Sequence, residues 1–386
     1  MPAPLYLDHL STTPLDPRVR EAMEPWLGPR FGHPAARSHA YGWEAEEAVE
    51  TARARVADLV GADPQEIVFT SGGTEADGLA LQGAFEAYPG RGRHLVVGAV
   101  EHRPVRDTAQ FLAARRGAEV TTVPCDGRGR VTAAAVAAAL RDDTVLVAVQ
   151  AANAEVGTVQ PTEAIGAACA ARGALFHVDA AHAAAHLALD VRRDGVHLLS
   201  LTAHRMGGPK GAGALYVRRR DPRVRLVAAM HGGGHERGMR AGTVNVPAVV
   251  GFGAAADLVR AERATEAARV AGLRDRFEAA VLGRVPGVVR HGDPGGRLPG
   301  VSALAFDGVE AEALLMGMPD VAAASGAGCS SATLEPSYVL RAMGVPDRVG
   351  HGTVRFSLGR TTSSDDVDRA AARVIETVER LRALGR

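Results

Sequence analysis

Short apolar runs alternate with amphipathic stretches through the first two-thirds of the chain, and this rhythm predicts a mostly parallel sheet covered by helices. Six runs read as buried strands: 67–70, 95–100, 144–149, 175–178, 198–201 and 214–217. Helices fill the gaps. Asp16-Pro17 has the form of an N-cap and first-turn proline opening a helix to Trp26, and Ala45, Val49, Ala52, Val56 and Leu59 recur at helical spacing within 43–60. Residues 75–84 follow a glycine-rich turn as a helix, and the alanine tract 131–140 keeps helix-forming composition. An alanine-rich helix over 248–271 leads to a second region, where the apolar runs 301–306, 321–324 and 354–357 alternate with helical stretches before a closing helix over 364–384. No internal repeat is visible.

At 386 residues the chain exceeds one small core. The expected division is a large domain over 16–255 and a smaller α+β domain made of 1–15 and 256–386. Lys plus Arg and Asp plus Glu number 44 each, so no excess of positive charge is available to hold a nucleic acid. The first residues lack a basic segment followed by a long apolar stretch, and no apolar run reaches bilayer length, so the expected setting is cytoplasmic, away from membranes. Three scattered cysteines suit a reducing compartment better than a disulfide framework. Lysine occurs once, at Lys210, leaving 43 arginines.

Candidate chemistry gathers at strand ends. Phe69-Thr-Ser-Gly-Gly-Thr74 runs from a strand into a helix, so its backbone N–H groups, with the Ser71 and Thr74 hydroxyls, form a candidate phosphate cradle around Gly73. Glycine-rich turns of this shape also occur for steric reasons alone. In Phe176-His-Val-Asp-Ala-Ala-His182 an apolar strand ends in Asp179, a carboxylate that needs either a cationic partner or a helix to cap. A third strand ends in Leu201-Thr-Ala-His-Arg-Met-Gly-Gly-Pro-Lys-Gly211, where open α/β sheets bind ligands. Cys329 lies in Ser325-Gly-Ala-Gly-Cys-Ser-Ser331, among small polar residues that favour an accessible thiol. Cys169, in an alanine-rich helix, reads as filler, and Cys125 as incidental.

From Tyr6-Leu-Asp-His-Leu-Ser-Thr-Thr-Pro14 to Arg355-Phe-Ser-Leu-Gly359 the chain resembles the NifS/IscS-type cysteine desulfurases almost end to end. Glu101-His102, the segment Met230-His-Gly-Gly-Gly-His-Glu-Arg-Gly-Met-Arg-Ala-Gly-Thr243 and the cysteine loop with its Leu-Glu-Pro-Ser-Tyr tail carry the likeness. The resemblance implies fold-type I, an α/β fold whose large domain holds a mostly parallel seven-stranded sheet. It implies pyridoxal 5′-phosphate as cofactor, L-cysteine as substrate, a homodimer, and a persulfide on Cys329 passed to a sulfur-acceptor protein. By the same resemblance His102 stacks on the cofactor ring, Asp179 pairs with its nitrogen, Thr74, Thr202 and His204 hold the phosphate, and Thr243 reaches in from a second subunit. Arg355 matches the residue that grips the substrate carboxylate.

Three positions depart from the family. Where it has a Schiff-base lysine directly after the phosphate-binding histidine, this chain has Arg205, whose guanidinium stays protonated and cannot condense with an aldehyde. A family asparagine and glutamine near the ring hydroxyl are replaced by Ala154 and His182. Two functions are therefore open: sulfur transfer with altered cofactor chemistry, or a catalytically silent member acting as scaffold, sulfur acceptor or partner subunit in a mixed dimer with an active desulfurase. Lys210 is the one alternative amine. The chain ends soon after its last helix, which points to an acceptor other than the housekeeping scaffold.

Overall fold

The computed structural model describes residues 4–325 and 337–384. Its larger sheet has seven strands, in the spatial order Ile67–Thr70, Gly213–Val217, Leu198–Thr202, Leu175–Asp179, Thr144–Ala148, His94–Gly98 and Glu119–Val123. All neighbours run parallel except Gly213–Val217, which is antiparallel to both of its partners. Both faces are covered, which explains why these strands read as unbroken apolar runs rather than alternating ones. Ile67 and Phe69 pack into one core with the helix Ala40–Val60, whereas Val68 joins a second core with Leu79, Val105 and Leu112.

Glu119–Val123 escapes the sequence pattern because it lies at the sheet edge, where Glu-Val-Thr-Thr-Val keeps most side chains partly in solvent. Other differences have local causes. The first helix is α-helical only over Pro17–Met23, and a tighter turn over Glu24–Leu27 follows because Pro25 has no N–H to continue the ladder. The second begins at Ala40, three residues early, where the His39 ring accepts a bond from the Gly42 amide. The long helix spans Val246–Arg284 because, after Pro247 in its first turn, no further proline intervenes before Pro286.

A second sheet, ordered Ala324–Ser325, Thr353–Ser357, Val301–Phe306 and Val288–His291, is antiparallel throughout and packs on Phe277, Val281, Val374 and Val378. The run at 321–324 is in fact two short pairings, since Val321–Ala322 pairs instead with Leu5–Tyr6. Two segments tie the cores together. The long helix places Val259 in the larger core and Phe277 in the smaller. The N-terminal segment places Leu5 and Leu7 in the smaller core and Leu10 in the larger, then bonds through Thr13 to the carbonyl of His204. Among the described residues no helix is long and apolar enough to cross a membrane.

Candidate functional site

The polar ends of the central strands open on one cleft of about 450 Å³, walled by Ser11, Thr12, residues 71–75, Asp77, His102, Ala181, Thr202, His204, Arg205, Lys210 and Gly211. Eight of the positions singled out in the sequence thus fall on one wall or another: Ser71, Gly73, Thr74, His102, Thr202, His204, Arg205 and Lys210. The helix Gly73–Ala87 begins at this cleft, and its first amides have no intrahelical acceptors. The neighbouring strand passes so close that a Cβ on Gly213 would lie 2.5 Å from the backbone of Gly72, so position 213 admits only glycine. The Ser71 amide is committed, donating to Glu75 Oε2 at 2.7 Å, and Glu75 is held in turn by Arg240 at 2.9 Å. Sequence reasoning missed that clamp.

Asp179 ends its strand beneath the cleft. Its Oδ1 accepts from the Ala181 amide at 2.8 Å, while Oδ2 is buried, has no hydrogen-bond partner and faces His102 Nδ1 at 3.8 Å. Burial, with Asp77 nearby, pushes the Asp179 carboxyl up to about 6. His102 stands over this carboxylate at the start of the helix Arg103–Arg116, and burial lowers its basicity. Its ring meets that of His182 edge-on, with centroids 5.1 Å apart. His182 is held neutral by burial and by the charges of Arg205, His102, Arg355 and His204.

Asp77 was not foreseen. It lies 3.3 Å from His177 Nε2, which also contacts Ser200 Oγ at 3.0 Å, and burial pushes its carboxyl up to about 7. The available signal was a carboxylate one turn after Thr74, on a helix face otherwise made of Ala76, Leu79 and Ala80.

The far wall is built by the N-terminal segment. Arg205 Nε donates to the carbonyl of Leu10 at 2.9 Å, and His204 Nδ1 contacts Thr12 Oγ1 at 3.1 Å. Arg355 reaches the same wall from the second sheet: Nη2 donates to Asp8 Oδ1 at 2.7 Å and Ser11 Oγ at 2.6 Å, and Nη1 to the backbone carbonyl of Ala154 at 2.8 Å. Beside it, burial pushes the Glu155 carboxyl up to about 7, and Ser337 donates to it. Tyr338 donates to the Glu101 carbonyl at 2.7 Å. Thr243 stands exposed and outside its own chain's cleft. Cys329 lies outside the described residues. Of the other two thiols, Cys169 is buried and pushed up to about 12, and half-buried Cys125 is raised by burial.

These groups fit pyridoxal phosphate held by contacts. A helix N-terminus with threonine hydroxyls suits a phosphate, and an unpartnered buried carboxylate oxygen suits a protonated ring nitrogen. They do not fit the covalent attachment equally well, because the residue following His204 is an arginine.

The aminotransferase class-V pattern matches residues 5–370. A cysteine desulfurase IscS of Anaeromyxobacter sp. (strain Fw109-5) is 50% identical over 384 residues, covering 100% of this chain and 95% of the relative. The cysteine desulfurase IscS of Azotobacter vinelandii (strain DJ / ATCC BAA-1303) is 50% identical over 386 residues, with the same coverage of 100% and 95%. Among solved structures, a NifS-like protein superposes with a TM-score of 0.90 at 31% identity, over 97% of this chain and 99% of that one. The seven-stranded sheet, its strand-end cleft and likeness along the whole length agree: the chain belongs to the aminotransferase class-V family, among the IscS/NifS-type cysteine desulfurases, and has their fold-type I architecture.

Proposed function

We propose that the chain serves sulfur transfer from L-cysteine, with the Cys329 thiol as persulfide carrier and pyridoxal phosphate held by contacts alone. The observation that supports this reading is one cleft lined by the helix turn, by His102 facing the unpartnered Asp179 oxygen, by Ser11 bonded to Arg355, and by Arg205 next to His204. When bound, the cofactor supplies an electron sink for bonds to an amino acid's α-carbon. The chain's own residues do the rest. Gly73, Thr74, Thr202 and His204 receive the phosphate. Asp179 keeps a proton on the ring nitrogen, and His102, largely neutral at physiological pH, can accept one above it. Arg355 binds the substrate carboxylate, its fork already oriented by Asp8, Ser11 and Ala154. Arg205 fixes a permanent positive charge where an amine would otherwise stand.

Asp179 gives this reading a pH signature. Burial pushes its carboxyl up to about 6, and only the ionised form pairs with a protonated ring nitrogen. Affinity for pyridoxal phosphate should therefore fall about tenfold per unit as the pH drops below that value. Asp179→Asn should weaken binding and remove this component of the slope. Identical pH profiles for the two proteins in equilibrium dialysis would place the ring elsewhere.

The second reading is a silent member of the family: a scaffold, a sulfur acceptor or one half of a mixed dimer. Arg205 favours it; Thr243, which this chain presents outside its own cleft, suits a mixed dimer and a homodimer alike. The first reading, and the second where the chain is a sulfur acceptor, require Cys329 to take up sulfur. After incubation with an active desulfurase and L-cysteine, mass spectrometry should find the added sulfur on Cys329, and sulfur chiefly on Cys125 or Cys169 would refute the assignment. Alanine release by the chain alone, supplied with cofactor and cysteine, selects the first reading over the second.

A further inference from the structure

We infer that the chain has a second ligand site, a cavity behind the cleft wall that takes a neutral single-ring molecule bearing one hydroxyl group, anchored at His9. The cavity holds about 140 Å³. The N-terminal segment separates it from the cleft: Ser11 and Thr12 line the cleft, Leu10 and Thr13 line the cavity, and Arg205 borders both. Its apolar lining is drawn from both cores, with Leu10, Met206, Val259 and Val301 from the larger and Val270 and Leu358 from the smaller. Apolar cavities of about 150 Å³ stay free of water and accept a ring the size of benzene. An occupant here touches both cores at once, so its binding stabilises their junction by mass action.

The polar groups of the wall narrow the ligand further. Its charged side chains already have partners: Asp16 pairs with Arg18 at 2.8 Å, Glu266 with Arg269 at 3.0 Å, and Arg360 with Glu262. Arg205 Nε donates to the carbonyl of Leu10. A charged ligand would lose its hydration here with no free counter-charge in return, so the cavity selects a neutral one.

His9 supplies the anchor. It is only 6% exposed, and its Nδ1 is buried without a hydrogen-bond partner. The ring packs against Gly359, where a Cβ would lie 2.4 Å from Nδ1. The backbone of Gly359 cannot satisfy that nitrogen, because its amide donates to Thr362 Oγ1 at 3.0 Å and its carbonyl accepts from Arg269 Nη2 at 3.2 Å. The other ring nitrogen, Nε2, contacts Thr361 Oγ1 at 3.4 Å. Burial pushes the imidazole down to about 4, so the ring is neutral and Nδ1 either donates or accepts. A hydroxyl group answers both tautomers, since it does both.

The test uses p-cresol and toluene on the full chain, two rings of like shape that differ by the hydroxyl. Calorimetric titration should find p-cresol bound with a Kd of about 0.1–1 mM. Toluene should bind about 3- to 10-fold more weakly, the worth of one neutral hydrogen bond. His9→Phe should erase that difference. Ala267→Leu, which fills the cavity from the long helix, should abolish binding of both rings without lowering the melting temperature, which reports a folded chain. Either variant decides the matter if the other does not fold. Equal wild-type affinities for the two rings, unchanged binding in Ala267→Leu, or no saturable binding of p-cresol overturns the inference, and none of these results touches the reading of the cleft.

Discussion

Arg205→Lys is expected to turn a protein that holds pyridoxal phosphate only by contacts into one that becomes yellow with it and retains it through gel filtration. After borohydride reduction, the peptide spanning position 205 should carry the cofactor's mass in the variant and not in the wild type. The physical reason is narrow. A guanidinium keeps its proton at any working pH, whereas a lysine amine placed in a cationic cleft is pushed toward its free, nucleophilic form by Arg355 and by desolvation. The exchange removes one hydrogen bond, from Arg205 Nε to the carbonyl of Leu10, and should cost about 1 kcal/mol of stability. Occupancy should stay incomplete, because Ala154 and His182 stand where the family places an asparagine and a glutamine near the ring hydroxyl. Reduction that labels Lys210 in the wild-type chain would show that this amine had already taken over, and the argument from Arg205 would collapse.

Arg53→Ala is expected to be the most damaging single change away from the cleft, with a loss of about 3–5 kcal/mol in denaturant unfolding. Arg53 grips Glu236 with both arms, at 2.7 and 2.9 Å, and both side chains are only 4% exposed. The same guanidinium donates to the carbonyl of Ile67 at 2.9 Å and lies over the Phe69 ring, while Glu236 accepts from the Phe69 amide at 2.7 Å. Truncation would leave the buried Glu236 carboxylate without its two-armed partner. Glu236 and Arg237 also hold left-handed backbone, with φ of 47° and 58°, a conformation that non-glycine residues keep only when their surroundings enforce it. The variant should therefore also loosen the segment from His231 to Thr243, seen as faster amide exchange there. A loss below about 1 kcal/mol would mean that water replaces the pair without penalty.

The large sheet was legible because two-sided burial writes each central strand as a short apolar run, and the polar residues just beyond three of those runs proved to share one cleft. Two edge strands, Glu119–Val123 and Val288–His291, were not legible because most of their side chains stand at least partly in solvent, whereas the edge strand Ile67–Thr70 is buried and was read. Within the site, residues attached to a glycine-rich turn or a strand end were found, since local chemistry marks them. Asp8, Ser11, Asp77 and Glu75 were missed as a group. Their significance depends on partners far away in the chain, such as Arg355, His177 and Arg240, and no local pattern encodes such a meeting.

The N-terminal segment has a consequence for the order in which the molecule can be made. Leu5–Tyr6 pairs with Val321–Ala322, the His9 amide bonds to the carbonyl of Ser357, and Asp8 meets Arg355 from 347 positions away. A nascent chain emerging from the ribosome carries this segment long before its partners. The central strands 67–217 can pair while synthesis continues, and Leu10, Thr12 and Thr13 can then meet His204 and Arg205, but Leu5–Tyr6 and Asp8 have no partners until Val321–Ala322 and the strand Thr353–Ser357 are free. Until then Leu5 and Leu7, which belong to the smaller core, travel uncovered, so the stretch of chain that leads into the cleft wall waits long in water and has much to gain from a chaperone's shelter.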